Sequence, residues 1–411
     1  MNLNRRDLLL SSAGVAAALA VANPTFTQNN PPLAPPAPGD AIKPGMGSSD
    51  ISAYAALTND KKINVVNLRD LETEAQKILP PYSFAFIAGG AGDEWTMREN
   101  EAAFNRWVIE PHYLAGVRTP DLTTSVLGSR LSLPVITAPM GAQGLAHALK
   151  EIPNVKGTNE AGTLYVNTSV SHLSMEEIAA GGSGPKWFQI YFPADRGYAR
   201  ELLQRAKASG FTAMVVTVDS TTFSNRERPV RLGIVPPNLG TGNGIKTPGI
   251  NPRTAGVQKV DLNWDDVAFC GEETGLPVLI KGVLTPAMAI EAVKRGCAGV
   301  WVSNHGGRAI DNSAPAITAL PRVVNAVGGK AVIIVDGGFR RGQDVFRALA
   351  LGADVVGLGR PVLYGMALGG AQGVQAVYAR LKLELQMVMQ LAGTANIKAI
   401  TRDCVGKLEE Y

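Results

Sequence analysis

The chain is 411 residues long, 45% hydrophobic and 18% charged, with 45 glycines and 26 prolines; that balance belongs to a folded globular protein and excludes a disordered or fibrous one. A formal charge of +4, without any dense run of lysine and arginine, excludes nucleic acid and anionic membrane surfaces as evident partners and leaves small-molecule chemistry. Three cysteines, Cys270, Cys297 and Cys404, form no CxxC pair, so neither a disulfide framework nor a metal site is expected and each reads as a buried thiol.

The first 22 residues read as a targeting segment. Arg5 and Arg6 precede Asp7, and Leu8 to Ala22 is then a continuous stretch of 15 apolar and small residues. This is shorter than the ~20 residues that span a bilayer, so no stable membrane span is expected. The paired arginines resemble a twin-arginine signal, and Ala20-Val21-Ala22 offers a small-x-small cleavage site before Asn23. Export to the periplasm, or otherwise out of the cytoplasm, is the expectation. Removal of residues 1–22 takes away two arginines and one aspartate and leaves a charge of +3. Residues 23–49 read as an extended linker, with six prolines between positions 28 and 49. The folded domain is expected over 50–411.

Residues 67–107 look helical and are expected to cap one end of the strand-rich region that begins near Leu133. From Leu133 onward, short β-branched runs alternate with helical stretches, the pattern of a parallel sheet. The runs are LPVITA from 133, TLYVNT from 163, KWFQIY from 186, TAMVVTV from 212, PVLIKG from 277, GVWVSN from 299, AVIIVD from 331 and DVVGLG from 354. Their starts differ by 30, 23, 26, 65, 22, 32 and 23 residues, and six of these seven gaps hold one strand-loop-helix-loop unit. Eight evenly spaced runs favour a closed (β/α)8 barrel of the α/β class over an open doubly wound sheet. Helices such as RGYARELLQRAKASG and TPAMAIEAVKRG end in glycine, as helix C-termini prefer. The 65-residue gap after strand four holds a Gly-, Pro- and Asn-rich stretch, 220–262, which reads as a long loop acting as a lid.

Barrel enzymes carry their reacting groups at the C-terminal ends of the strands. Read there, the sequence is polar: Gln189 and Tyr191 after strand three, Thr217 and Asp219 after strand four, Lys281 at strand five, Ser303, His305 and Arg308 after strand six, Asp336 at strand seven. Each alone could be a cap, a core ion pair or a turn residue. Their common register is harder to explain by packing. Asp336-Gly337-Gly338-Phe339-Arg340-Arg341 and Gly357-Leu358-Gly359-Arg360 follow the last two strands, where such barrels commonly bind phosphate, and they point to a phosphate-bearing cofactor or substrate. Of the four histidines, only His305, in SNHGGR, lies at a strand end beside an arginine. It is the natural general base, with Asp219 to stabilise its imidazolium. Arg226 and Arg308 would hold an anionic group, most simply a carboxylate.

The motifs SNHGGRAID (303–311), DGGFRRGQDVFRALALGAD (336–354) and GRPVLYG (359–365) resemble those of the FMN-dependent 2-hydroxy-acid oxidases and dehydrogenases. The resemblance runs from about Asn67 to Asp403, and IAGGAGDEWT and LELQMVMQLAGT are most similar to the L-lactate oxidase branch. It implies an FMN-containing barrel that oxidises an L-2-hydroxy acid to the 2-oxo acid. It also implies a homo-oligomer, a tetramer as in the family. It makes His305 the base, Asp219 its charge partner and Arg226 and Arg308 the carboxylate clamp, with Tyr191 beside the substrate hydroxyl and Lys281 at the flavin N1–O2 edge. Pro139, Met140, Gly141, Thr168, Gln189, Thr217 and Ser303 would line the flavin. Asp336, Gly338, Arg340, Gly359 and Arg360 would hold its ribityl and phosphate end.

Two positions depart from the family pattern. Phe86 stands where a carboxylate-binding tyrosine is usual, and Val170 where the substrate pocket usually has tryptophan or tyrosine. The resemblance then implies a wider, less polar pocket that favours 2-hydroxy acids bulkier than lactate. Gly141 takes a flavin-facing place that is alanine in the oxidases and glycine in lactate monooxygenase and some dehydrogenases, which leaves the electron acceptor open. An FMN-dependent isomerase of the same fold and a catalytically drifted flavin-binding protein are the alternatives.

Overall fold

All eight β-branched runs form strands, and these close into one parallel barrel. In the computed structural model, residues 57–233, 240–251 and 255–411 are described. They belong to the compact unit Gly47–Tyr411. The expected signal peptide and linker, 1–22 and 23–49, lie outside the described residues. The barrel strands are β1 (Val135–Thr137), β2 (Tyr165–Thr168), β3 (Lys186–Ile190), β4 (Met214–Thr217), β5 (Val278–Val283), β6 (Gly299–Val302), β7 (Val332–Asp336) and β8 (Val355–Leu358). Each pairs with its sequence neighbours, and β8 pairs with β1 to close the ring.

Each strand is followed by an outer helix: α1 (Ile152–Glu160), α2 (Met175–Ala180), α3 (Arg196–Ala208), α4 (Trp264–Thr274), α5 (Pro286–Lys294), α6 (Ala316–Val327), α7 (Gly342–Ala350) and α8 (Arg360–Ala392). Local sequence sets their ends. The Asp195 carboxylate accepts the Tyr198 N–H at 2.9 Å and starts α3. Gly210 and Gly296, at φ 83° and 77°, stop α3 and α5 as the sequence predicts. The helix α8 bends at Gly369–Gly370.

Period-two alternation divides the core. Val166, Trp187, Val215, Leu279, Trp301, Ile334 and Val355 share a fully buried cluster inside the ring, whereas Phe188, Val216, Ile280, Val300 and Val356 join the larger core under the helices. Each fully buried valine, leucine or isoleucine contributes about 1.5–3 kcal/mol relative to exposure. A hairpin absent from the sequence reading, Thr124–Val126 with Ser129–Leu131, adds Val126 and Leu131 to the inner cluster. Before the barrel stand helices Asp70–Gln76, Pro81–Ala88 and Trp95–Ala102, inside the predicted 67–107. They lie against the loops that follow the strands: Asn100 and Asn304 exchange amide hydrogen bonds at 2.8 Å. Trp107–Ile109 pairs antiparallel with Val405–Lys407 and ties the two ends of the domain together.

The described parts of the long loop after β4 carry one short helix, Glu227–Arg231. Its far side is pinned. Asn243 is fully buried, receives the Met175 N–H at 2.8 Å and donates to Ser169 O and Ser171 Oγ at 3.1 Å each. The Glu201 carboxylate accepts the Lys246 and Thr247 N–H groups at 2.9 and 2.8 Å.

Candidate active site

The same alternation that fills the ring builds the site above it. Two residues past Val166, Trp187, Val215, Leu279, Trp301 and Ile334 come Thr168, Gln189, Thr217, Lys281, Ser303 and Asp336. All six thus project to the inner face, one layer higher. Strand register puts them side by side, with Thr168 opposite Gln189 and Thr217 opposite Lys281. Gln189 Nε2 donates to Thr217 Oγ1 at 2.8 Å, while its buried Oε1 has no partner. Lys281 Nζ donates to Ser303 Oγ at 3.1 Å and lies 3.5 Å from Asp336 Oδ2, and Ser303 Oγ donates to Asp336 Oδ1 at 2.6 Å. Burial opposes the charge on Lys281, but Asp336 and Asp219 outweigh it and hold the ammonium above its ordinary pKa.

His305 follows β6 in a turn where His305, Gly306 and Gly307 all have positive φ, 60°, 65° and 75°. Its N–H donates to Ser303 Oγ at 3.0 Å. The ring Nδ1 lies 2.9 Å from Asp219 Oδ1, and Nε2 lies 3.2 Å from the Tyr191 hydroxyl. Gly282 permits this: at φ 113°, beside a register shift in β5, a Cβ there would stand 2.6 Å from Asp219 Cβ. Burial pushes the His305 pKa below its ordinary value, with Lys281 and Arg226 adding to the effect and Asp219 opposing it. For Asp219, burial raises the pKa, but His305 and Lys281 overcome it and keep the carboxylate ionised. A neutral imidazole beside an aspartate is ready to accept a proton at Nε2 with its positive charge met at Nδ1. Burial raises the Tyr191 pKa, so its phenol stays protonated.

Arginines line the neighbouring wall. Arg226 Nε donates to Ser224 Oγ at 3.0 Å and to Arg308 O at 3.4 Å. Arg308 Nη1 donates to Phe86 O and Gly89 O at 2.7 Å each, and its guanidinium stands 5.1 Å from the Phe86 ring centre. Burial, then the charges of Arg226 and Arg360, lower the Arg308 pKa well below its ordinary value. An anion between these groups would relieve that repulsion. Arg360, at the N-terminus of α8, donates to the carbonyls of Ile87, Gly306 and Gly89 at 3.1, 2.9 and 2.9 Å. Arg340 pairs with Glu101 at 2.8 Å. A Cβ at Gly338 would strike the Asn100 carbonyl, whereas one at Gly359 would meet only Met140 Sδ at 3.7 Å. Pro139, Met140 and Gly141 follow β1, and a Cβ at Gly141 would stand 2.8 Å from Val170 Cγ2.

Support for the Met140 loop is a feature the sequence reading did not find. Thr137 Oγ1 meets Tyr378 Oη at 2.5 Å and Thr158 Oγ1 at 2.7 Å; Thr158 donates to Asn154 at 3.1 Å, Asn154 to Gln143 at 2.9 Å, and Gln143 Nε2 to the Met140 carbonyl at 2.9 Å. One buried chain thus links α8, β1 and α1 to the loop. Its ends are far apart in the sequence, with Thr137 and Tyr378 separated by 241 positions, and the local pairs Asn154–Thr158 and Met140–Gln143, four and three residues apart, do not by themselves show that they join one chain.

Residues 75–407 match the family described as FMN-dependent dehydrogenase. The chain belongs to this family. It is 41% identical over 362 residues to an L-lactate oxidase of Lentilactobacillus hilgardii, covering 85% of this chain and 96% of that protein. With a glycolate oxidase of Spinacia oleracea it shares 37% identity over 351 residues, 83% and 95% of the two chains. A solved lactate oxidase structure from Pediococcus acidilactici superposes with a TM-score of 0.80 at 38% identity, covering 87% of this chain and 99% of that one. A mandelate oxidase structure with (S)-2-phenylpropionate gives 0.77 at 35% identity, with 84% and 98% covered. FMN is the family's cofactor, and the site fits it. The buried Gln189 Oε1, without a partner among the described residues, would suit a ring N–H, Lys281 would set a buried cation at an electron-rich edge, and the N-terminus of α8 with Arg360 would suit a phosphate.

Proposed function

We propose that the protein oxidises an L-2-hydroxy acid to the 2-oxo acid, with His305 as base. The observation that carries this is the line Tyr191–His305–Asp219, at 3.2 and 2.9 Å, beside the Arg226–Arg308 wall. Bound FMN would take up two electrons and one of the two protons that the substrate's CH–OH group releases. The two arginines and Tyr191 orient the substrate through its carboxylate and hydroxyl. His305 Nε2 receives the other proton, and Asp219 stabilises the imidazolium. Lys281 would face the flavin edge, and Pro139, Met140, Gly141, Thr168, Gln189, Thr217 and Ser303 would line the ring. Asp336, Gly338, Arg340, Gly359 and Arg360 would hold the ribityl and phosphate end.

The same proposal places the substituent on carbon 2 beside Val170, which is 39% exposed and packs where a side chain at Gly141 would stand. A valine there leaves room for acids larger than lactate. It also includes export by the twin-arginine route, on the strength of Arg5-Arg6 and the apolar stretch after them, and a homo-oligomer. Leu383, Met387 and Leu391, exposed at four-residue intervals along α8, form an apolar face of the kind subunits cover. Among the described residues no helix is long and apolar enough to cross a membrane.

The test is anaerobic mixing of the yellow, FMN-loaded protein with L-2-hydroxy acids of increasing side-chain size. Bleaching of the flavin is expected, fastest with an acid bulkier than lactate. Flavin that no 2-hydroxy acid reduces would refute the activity, and a clear preference for lactate would refute the widened pocket.

A further inference from the structure

We propose that Trp301 is a positioning residue that holds the Lys281 ammonium at the flavin edge against the face of its indole, and so helps to set the reduction potential of bound FMN. The inference deepens the proposed activity and rests on its placement of the flavin beside Lys281. Lys281 on β5 and Trp301 on β6 stand opposite each other in the parallel register. Lys281 Nζ lies 5.8 Å from the centre of the Trp301 ring, within the ~6 Å at which a ring face attracts a cation. Both residues are buried, Trp301 fully, and an ammonium shielded from water gains more from such a face. The indole runs past β7 to β8: a Cβ at Gly357 would stand 2.6 Å from Trp301 Cζ2 and 3.2 Å from Asp336 Cβ. A glycine at 357 thus leaves the ring its room. Trp301 Nε1 has no hydrogen-bond partner among the described residues, so packing and the cation place the ring.

The indole differs in kind from the other partners of Lys281. Ser303 Oγ accepts from Nζ at 3.1 Å, and Asp336 Oδ2 lies 3.5 Å away, longer than the ~2.7–2.9 Å of a close ammonium–carboxylate bond. A carboxylate in close contact would cancel the positive charge that a reduced flavin, richer in negative charge, needs nearby. A ring face attracts the ammonium through its quadrupole and leaves the net charge in place. Without the indole, Nζ is free to close the remaining gap to Asp336, and its field at the flavin edge weakens. Reduction then becomes harder, and the potential falls.

The midpoint potential of the FMN-loaded protein is measured by reductive titration against a reference dye, with no substrate present, for the wild type and for Trp301→Phe, Trp301→Leu, Lys281→Met and the Lys281→Met, Trp301→Leu double variant. Trp301→Leu is expected to hold reduced over oxidised flavin roughly tenfold less well, about 30 mV lower for a two-electron couple. Trp301→Phe, which keeps a weaker ring face, should fall between it and the wild type. Lys281→Met should lower the potential further, and adding Trp301→Leu to it should change nothing more. A Trp301→Leu potential equal to that of the wild type would overturn the proposal. So would a shift of the same size in the Lys281→Met background, which marks a packing effect that bypasses the ammonium. Should either substitution cost the protein its FMN, tryptophans carrying one, two or three fluorines at position 301 decide instead: they drain the ring face and nearly keep its shape, so the potential should fall with each fluorine, and a flat series would overturn the proposal. Should no 2-hydroxy acid reduce the wild-type flavin while these shifts appear, the oxidase reading falls and the link from Trp301 through Lys281 to the flavin stands.

Discussion

At the scale of single residues, His305, the proposed base, is held in a conformation that histidine seldom adopts. The left-handed backbone of His305 costs on the order of 1–2 kcal/mol, and the Ser303, Asp219 and Tyr191 hydrogen bonds around it hold the ring in place. Because burial keeps its pKa below that of ordinary histidine, the neutral, proton-accepting form persists into mild acid. The acid limb of kcat/KM should therefore fall below pH ~6.5, the ordinary histidine value. Asp219 opposes the depression, so Asp219→Asn should move that limb to still lower pH while slowing flavin reduction. His305→Gln should retain FMN and slow reduction by more than about 10²-fold, the lower end for a general base. A limb that stays put in Asp219→Asn, or near-normal reduction by His305→Gln, would remove the pair from these roles. These residues were legible in the sequence because strand ends are fixed points of a barrel, and reading the last residues of each β-branched run and those just after it lands on them. The hydrogen-bonded chain from Tyr378 to Met140 was not legible, because Thr137 and Tyr378 stand 241 positions apart and only the closed fold brings them together.

Elements were legible in proportion to their periodicity. The eight runs, the glycine-stopped helices and the loop after β4 all appear where the sequence places them, because a parallel strand buried on both faces reads as a continuous apolar run. The hairpin below the ring does not. Its strands are three residues each, and its turn, Leu127-Gly128, uses a leucine at φ 42° where asparagine or aspartate would have signalled it. The loop after β4 was visible as composition, but its anchoring was not. Asn243 holds it by three hydrogen bonds to the β2–α2 segment, and leaving the backbone partners buried and unmet costs about 1–3 kcal/mol for each. Asn243→Ala is accordingly expected to speed cleavage within 218–263 by a protease and to raise KM, with the melting temperature of the barrel little changed. Equal protease sensitivity of variant and wild type would mean that the loop is held elsewhere, with the Glu201 contacts to Lys246 and Thr247 as the next candidates.

At the scale of the whole molecule, the site draws on every part of the described domain. Carbonyls of helix Pro81–Ala88 and the glycine after it receive Arg308 and Arg360, Asn100 grips Asn304, and Tyr378 near the middle of α8 begins the chain of hydrogen bonds that reaches Met140. Such a site exists only once the barrel has closed, and the buried layer of Gln189, Lys281 and Ser303 at its floor suits FMN bound in the folded state. The proposed twin-arginine route carries folded, cofactor-loaded chains, which is what a site of this kind would require, and the Arg5-Arg6 pair is the sequence feature that proposal rests on. Residues 1–30 fused to a reporter should therefore deliver it across the inner membrane only where the twin-arginine route operates, and Arg5→Lys with Arg6→Lys should stop it. The full-length protein recovered outside should be yellow. A reporter that crosses regardless of both arginines, or exported protein that lacks FMN until it is added, would mean that the chain travels unfolded and acquires its cofactor after transport.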